Sequence, residues 1–271
     1  MTTTLPSELI FHVISFLHGD KATLSTCSLS CSTLATISKP LLFHTLRADL
    51  ISEAAARFEG ISEPGSAMLQ LIKRIDVAIP IFAPTLDQRT VTAVSRIMTR
   101  RQLQDTPPKL NITARFIHSS PSQFEQLILP RLDPVVPWVT SLEFDQVGHP
   151  GPEHLEFWPI VLAFPNLTSL TLGWVNVGRA QGNTPSHRVS DISHLTLKRL
   201  AFDDSCDICW FLADNPLPLP SLTSLDVRFP AAPDSASIRF GEQYGAMVRS
   251  LRFGVVIRSP TMHWGQLDCK L

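Results

Sequence analysis

Leu219-Pro220-Ser221-Leu222-Thr223-Ser224-Leu225 is the stretch on which the fold turns. The same phrase stands earlier as Phe164-Pro165-Asn166-Leu167-Thr168-Ser169-Leu170. In each, a proline turn runs into a leucine, and an apolar residue follows two positions later: Leu172 after Leu170, Val227 after Leu225. That alternation is the period of a half-buried strand. It recurs at Lys73–Val77, Ser141–Phe144, Arg199–Phe202 and Ser250–Phe253. The central leucines fall at 142, 170, 200, 225 and 251, so the gaps are 28, 30, 25 and 26 residues. Periods of this size signal a solenoid of stacked repeats.

Parallel strands need crossovers, and the segments Gln88 to Gln102, Glu153 to Leu162 and Cys206 to Ala213 read as helices. Leu42-Phe43-His44-Thr45-Leu46 reads as a first strand, joining the helical start of the chain to the repeats without a linker. Loops are expected at Asp105–Pro108 and at Gly178–His187. Val175 and Pro230 stand where a regular repeat carries asparagine, so no asparagine ladder can tie successive turns, and uneven repeats are expected. No polar capping turn precedes Leu271, which predicts a missing terminal repeat or a marginally stable end. The expected class is α/β: a short helical unit over 4–46, then an irregular repeat solenoid with a parallel sheet over 47–271.

Composition narrows the function. Apolar residues make up 44% of the 271, enough for a large core. Lys plus Arg is 23 against 24 Asp plus Glu, a balance that argues against nucleic-acid binding by bulk charge. Arg96, Arg100 and Arg101 fall on one side of a predicted helix and read as a solvated face. Five cysteines do not make a disulfide scaffold at this length. The longest apolar run, Phe157 to Phe164, is eight residues and holds a proline, far below the roughly 20 needed to span a bilayer. Residues 1–4 carry no basic side chain. The expectation is a soluble intracellular chain, cytoplasmic or nuclear, acting without membrane or nucleic acid.

The chain opens on a helical pattern. Pro6 suits a first helical turn. Leu9, Val13, Phe16 and Leu17 recur at spacings of three and four, as one helix face does. Gly19 can take a left-handed cap, and Asp20 is a good N-cap for a second helix carrying Leu24 and Cys27. A third run holds Cys31, Leu34, Ala35 and Ile37 before Pro40, which is expected to stop it. Cys27 and Cys31 read as buried small apolar groups.

Leu5-Pro6-x-Glu8-Leu9, Phe16-Leu17, Asp20, Cys27-Ser28-Leu29-x-Cys31 and Pro40-Leu41-Leu42-Phe43 together resemble an F-box. The nearest look is that of the F-box-like proteins of mushroom-forming fungi, and the Pro-x-Leu-Thr-Ser-Leu phrase resembles the irregular leucine-rich repeats that follow such modules. The resemblance covers residues 4–46 and the repeated phrases. It implies a subunit of a cullin-type (SCF) ubiquitin ligase, serving ubiquitin-dependent protein degradation. Its F-box would hold a Skp-family adaptor and its solenoid a target protein. Carried over by position, the adaptor-facing residues are Leu5, Pro6, Leu9, Val13, Leu17, Leu24 and Cys31. Family members often read Cys-Arg-Ser-Trp where this chain has Cys31-Ser32-Thr33-Leu34, so Leu34 replaces a large aromatic anchor.

Two further readings stand beside this one. A leucine-rich interaction protein need not join a ligase at all. A zinc hydrolase or deaminase would use His154-Leu155-Glu156 with Cys206-Asp207-Ile208-Cys209, the His-x-Glu and Cys-x-x-Cys pattern of zinc deaminases. Ser205 stands where that signature has proline, and no second cysteine pair completes a structural zinc site. Recognition without catalysis, cofactor or metal is therefore the expectation. In each strand the residues flanking the central leucine face away from the core. Glu143, Asp145, Thr171, Asp226, Arg228 and Arg252 are the candidate target contacts, acidic at one end of the strip and basic at the other.

Overall fold

The computed structural model describes residues 6–50, 54–79, 86–103, 108–115, 124–145, 157–173, 195–203, 219–229, 235–245, 248–258 and 264–269. Three helices open it: α1 (Ser7–Ser15), α2 (Lys21–Ser30) and α3 (Ser32–Phe43). Pro6 precedes α1, and its carbonyl accepts from the amides of Leu9 and Ile10 at 3.1 and 3.2 Å. The helix ends by tightening, with Phe16 N–H bonded to Val13 and Leu17 N–H to Ile14. Gly19 does not take the left-handed cap expected of it; among the described residues the glycine with positive φ is Gly65. Asp20 caps α2 as expected, accepting the Thr23 amide at 3.0 Å and its hydroxyl at 2.6 Å. Pro40 does not stop α3 but lies inside it. It forfeits one N–H bond, while packing of α3 on α2 and on the first strand outweighs the local preference.

Among the described residues a nine-stranded sheet follows. β1 (Thr45–Asp49), β2 (Arg74–Ile79), β3 (Lys109–Arg115), β4 (Val139–Asp145) and β5 (Ser169–Gly173) come first. β6 (Arg199–Asp203), β7 (Ser224–Phe229), β8 (Ser250–Arg258) and β9 (Trp264–Cys269) complete it. Spatial order equals sequence order. The first eight strands are parallel, and β9 returns antiparallel to β8. Because the order never reverses, crossovers of one hand all fall on one face of the sheet. Among the described residues the helices lie on that face, which leaves the other open.

The register follows the leucines. Leu142, Leu170, Leu200, Leu225 and Leu251 stand side by side across β4–β8. The first four are fully buried, each worth about 1.5–3 kcal/mol of apolar transfer. Ile112, Val77 and Ala48 continue the column to β1. Helices cover this face. Among them are α4 (Ala54–Ser62) and α5 (Gln88–Gln102), whose Val91, Val94, Ile97 and Met98 are buried with the strand residues Ile75 and Val77. Asp87 caps α5 through the Arg89 amide and the Thr90 hydroxyl. Short helices α6 (Leu129–Leu132) and α7 (Phe157–Leu162) follow, then α8 (Ser235–Gly245). Phe240 of α8 meets Phe202 of β6 edge-on at 5.6 Å.

Several expectations are corrected. Leu42 and Phe43 finish α3, and the first strand begins at Thr45, so the boundary set after residue 46 falls inside β1. Strands β3 and β9 and helix α8 add elements where none was read. Arg101 is buried, at 4% exposure, while Arg96 stays on the solvated side. Position 101 lies seven after Val94, on the apolar stripe of α5, where a long stem can lie along apolar surface. The helix expected at Cys206–Ala213 and the loop at Gly178–His187 lie outside the described residues.

The missing asparagine ladder has a substitute. The Thr140 hydroxyl donates to the Leu110 carbonyl, that of Thr168 to the Thr140 carbonyl, and that of Thr223 to the Lys198 carbonyl, at 3.0–3.3 Å. The backbone amides of Thr168 and Thr223 donate to the same carbonyls of Thr140 and Lys198 at 3.0 and 2.9 Å. Threonine directly before the Ser-Leu pair thus ties β4, β5 and β7 each to the strand before it.

Candidate functional site

Two surfaces stand out, one on α1 and one on the sheet. Helix α1 turns Ile14 inward, buried, with Ile10 and Leu17 half-buried beside it. An adjoining stripe carries Leu9, Val13 and Phe16, which are 52, 63 and 72% exposed. Both stripes step by four and then three residues and lie about 100° apart, so one broad apolar arc is partly turned inward and partly exposed, with Glu8, His12 and Ser15 on the remaining side. Phe11 adds to the exposed set, and Leu29 of α2 is more exposed still. Phe16 is held edge-on by His12 at 5.0 Å between ring centres.

Of the residues that the F-box resemblance assigns to an adaptor, Leu9 and Val13 lie on this exposed stripe and Pro6 is exposed just before it. Leu17 is half-buried. Leu24 is fully buried, where it supports the helices and offers no surface. Leu5 lies outside the described residues. Cys31 and Cys27 are free thiols, one exposed and one half-buried, which corrects their reading as core groups. Phe11 and Leu29 are not among the contacts expected from sequence. Phe11 lies off the three-and-four spacing of Leu9, and Leu29 sits near the end of α2, a helix with little apolar pattern.

The open face of the sheet is polar and ordered by the register. One row runs Arg47, Asp76, Asn111, Ser141 and Ser169, and then Arg199, Ser224 and Ser250. The next passes through Thr113, Glu143, Thr171, Ala201, Asp226 and Arg252. Two carboxylates organise it. Asp76 accepts from Asn111 Nδ2 at 2.8 Å and from Arg74 Nε, with Arg47 at 3.7 Å. Asp226 lies 3.8 Å from Arg199 and 3.7 Å from Arg228, its side chain 7% exposed. Such a buried carboxylate requires its cations.

Of the target contacts named from sequence, Glu143 and Arg252 are exposed and Thr171 is half-buried. Asp145 keeps its place in register beside Gly173. Asp226 is instead a buried counter-ion, so what it presents outward is the placement of Arg199 and Arg228. Strands β1–β3 also change the charge order. They set Arg47, Arg74 and Lys109 beyond Glu143, so acid sits inside the strip and base at both ends.

The zinc reading rests on His154, Glu156, Cys206 and Cys209, all of which lie outside the described residues. Among the described residues no three His, Cys, Asp or Glu side chains gather as metal ligands would, and no helix is long and apolar enough to cross a membrane. In comparisons with known proteins no family model matches the chain and no curated protein gives a significant match.

Proposed function

We propose that this chain is the target-recognition subunit of a cullin-type (SCF) ubiquitin ligase. In this reading the outer stripe of α1 docks on a Skp-family adaptor. The segment 47–271 is an irregular leucine-rich solenoid, and its open sheet face holds a target protein. Holding the target beside the ligase raises its effective concentration there. The observation that carries the reading is the exposed apolar stripe that adjoins the buried one on α1. An exposed cluster of large apolar side chains marks an interaction site. Leu9, Val13 and Phe16 are not covered by the described residues, which supports a partner that covers them.

The test is affinity capture with mass spectrometry, using the full chain and a Leu9→Asp variant. The unchanged chain should recover an adaptor and a cullin. The variant would set a charge in the contact, a change that typically costs several kcal/mol. It should lose both proteins while the sheet stays folded. Recovery of neither by the unchanged chain would defeat the ligase reading. A second reading, an interaction protein outside any ligase, is favoured by Leu34. It is only half-buried and much smaller than the aromatic residue that F-box proteins often place there. Capture of a target without an adaptor would select that reading.

A further inference from the structure

The cations of the open face and of the strand-start rim form two groups. One, on β1–β3, consists of Arg47, Lys73, Arg74 and Lys109 around Asp76. The other, on β6–β8, consists of Lys198, Arg199, Arg228, Arg249 and Arg252 around Asp226. Setting Asp49 and Asp76 against the first group, and Asp203 and Asp226 against the second, still leaves them positive by two and by three charges. The whole chain is at −1, so this concentration of cations is local. Lys73, Lys109, Lys198, Arg249 and Arg252 are exposed, and among the described residues no carboxylate lies within ion-pair distance of them.

Between the groups the face is hydroxyl-lined, with Ser141, Ser169 and Thr171, and carries the exposed Glu143. From β2 to β7 is five strand steps, roughly 24 Å at about 4.8 Å each. An extended polypeptide covers that distance in about seven residues.

We infer that the open face recognises an extended peptide segment with acidic clusters about seven residues apart, one seated at each cationic group. This rests on the reading of the open face as the target surface and names the chemistry of the target. A nucleic acid fits less well. Its evenly spaced phosphates would pass over Glu143, and the two rows that run from Arg47 to Ser250 and from Thr113 to Arg252 hold no aromatic residue on which a base would stack.

Fluorescence polarisation with the full chain tests the inference. The probe is a labelled peptide with an aspartate triplet at each end of a seven-residue Gly/Ser spacer. The controls are the same peptide with a two-residue spacer, a peptide with one triplet, and a single-stranded oligothymidine of equal charge. The long-spacer peptide should bind at least about tenfold more tightly than every control, as two linked contacts do. Lys73→Glu with Lys109→Glu, and separately Lys198→Glu with Arg252→Glu, should each reduce it to the one-triplet level. Indifference to spacing, absence of binding, or tighter binding of the oligonucleotide would overturn the inference. A Thr171→Arg variant in target capture separates the layers. If capture falls with that variant while the peptide fails, the open face remains the target surface and only its acidic specificity is lost. If capture is unchanged, the underlying reading goes too.

Discussion

The helical start and the sheet use the same apolar residue types in opposite ways. In the sheet, Leu142, Leu170, Leu200 and Leu225 are sealed on one face, and the other face is charged or hydroxylic. In α1, Leu9, Val13 and Phe16 stay outside while Ile14 alone is buried. As far as Leu225, beyond which Leu251 is 38% exposed, the sheet satisfies its own hydrophobic pattern. The helical start does not, and residues 6–43 bury just Ile14, Leu24 and Ser38 among the described side chains. Leu9, Val13 and Phe16 contribute little to the core that the described residues form.

Truncation gives the largest expected separation between the two regions. Leu200→Ala removes a side chain from the middle of a fully buried column and leaves a cavity. It should destabilise the protein by about 2–5 kcal/mol, read as a lowered urea midpoint. Leu9→Ala removes the same atoms from an exposed position. It should move that midpoint by no more than about 0.5 kcal/mol in equivalent stability. Equal losses would mean that α1 belongs to the folded core and that the contrast is false.

The next test sharpens the account of what ties the strands. Thr168→Val keeps the shape and β-branching of the side chain but removes the hydroxyl that donates to the Thr140 carbonyl. That carbonyl still accepts the Thr168 amide, so it is not orphaned. The loss should be about 1 kcal/mol by chemical denaturation. An unchanged midpoint would reduce the threonine row to a consequence of strand spacing rather than a tie.

The same contrast explains what was legible in the residues. The register of β4–β8 followed from Leu-x-apolar alternation behind a repeated turn. The bounds of α5 followed from its apolar stripe. Strand β3 was hidden because Lys109-Leu110-Asn111-Ile112 lacks the Ser-Leu phrase and stands directly behind two prolines. Without β3 there is no register from β2 to β4, so the Asp76 cluster could not be placed on the strip. Strand β9, Trp264-Gly265-Gln266-Leu267-Asp268-Cys269, has an edge position and no clean alternation. The two adjoining stripes of α1 were legible only as one face, Leu9, Val13, Phe16 and Leu17, because a periodicity of 3.6 does not say which part of an apolar arc turns inward. Burial of Asp226 comes from cations on two strands, Arg199 and Arg228, which no local pattern announces.

The smallest expected effect lies at the start of α2. Where burial is slight, helix ends depend on their caps, and Asp20 is such a cap. Its hydrogen bonds with the Thr23 hydroxyl and amide hold its carboxyl below the ordinary value of 3.8. Both bonds favour the charged form. Because the folded value lies below the unfolded one, the cap's contribution is complete above about 3.8 and is lost as pH falls through the folded value. The sheet's ladder is made of backbone amides and threonine hydroxyls, which do not titrate in that range. The protection of the amides of residues 23–26, taken as exchange relative to the intrinsic rate at each pH, should therefore fall below that pH in the unchanged chain. In Asp20→Asn, whose side chain accepts a bond at every pH, the same amides should show no such step. A step that persists in Asp20→Asn would place the acid-sensitive group elsewhere and remove the cap from the list of what holds the helical start together.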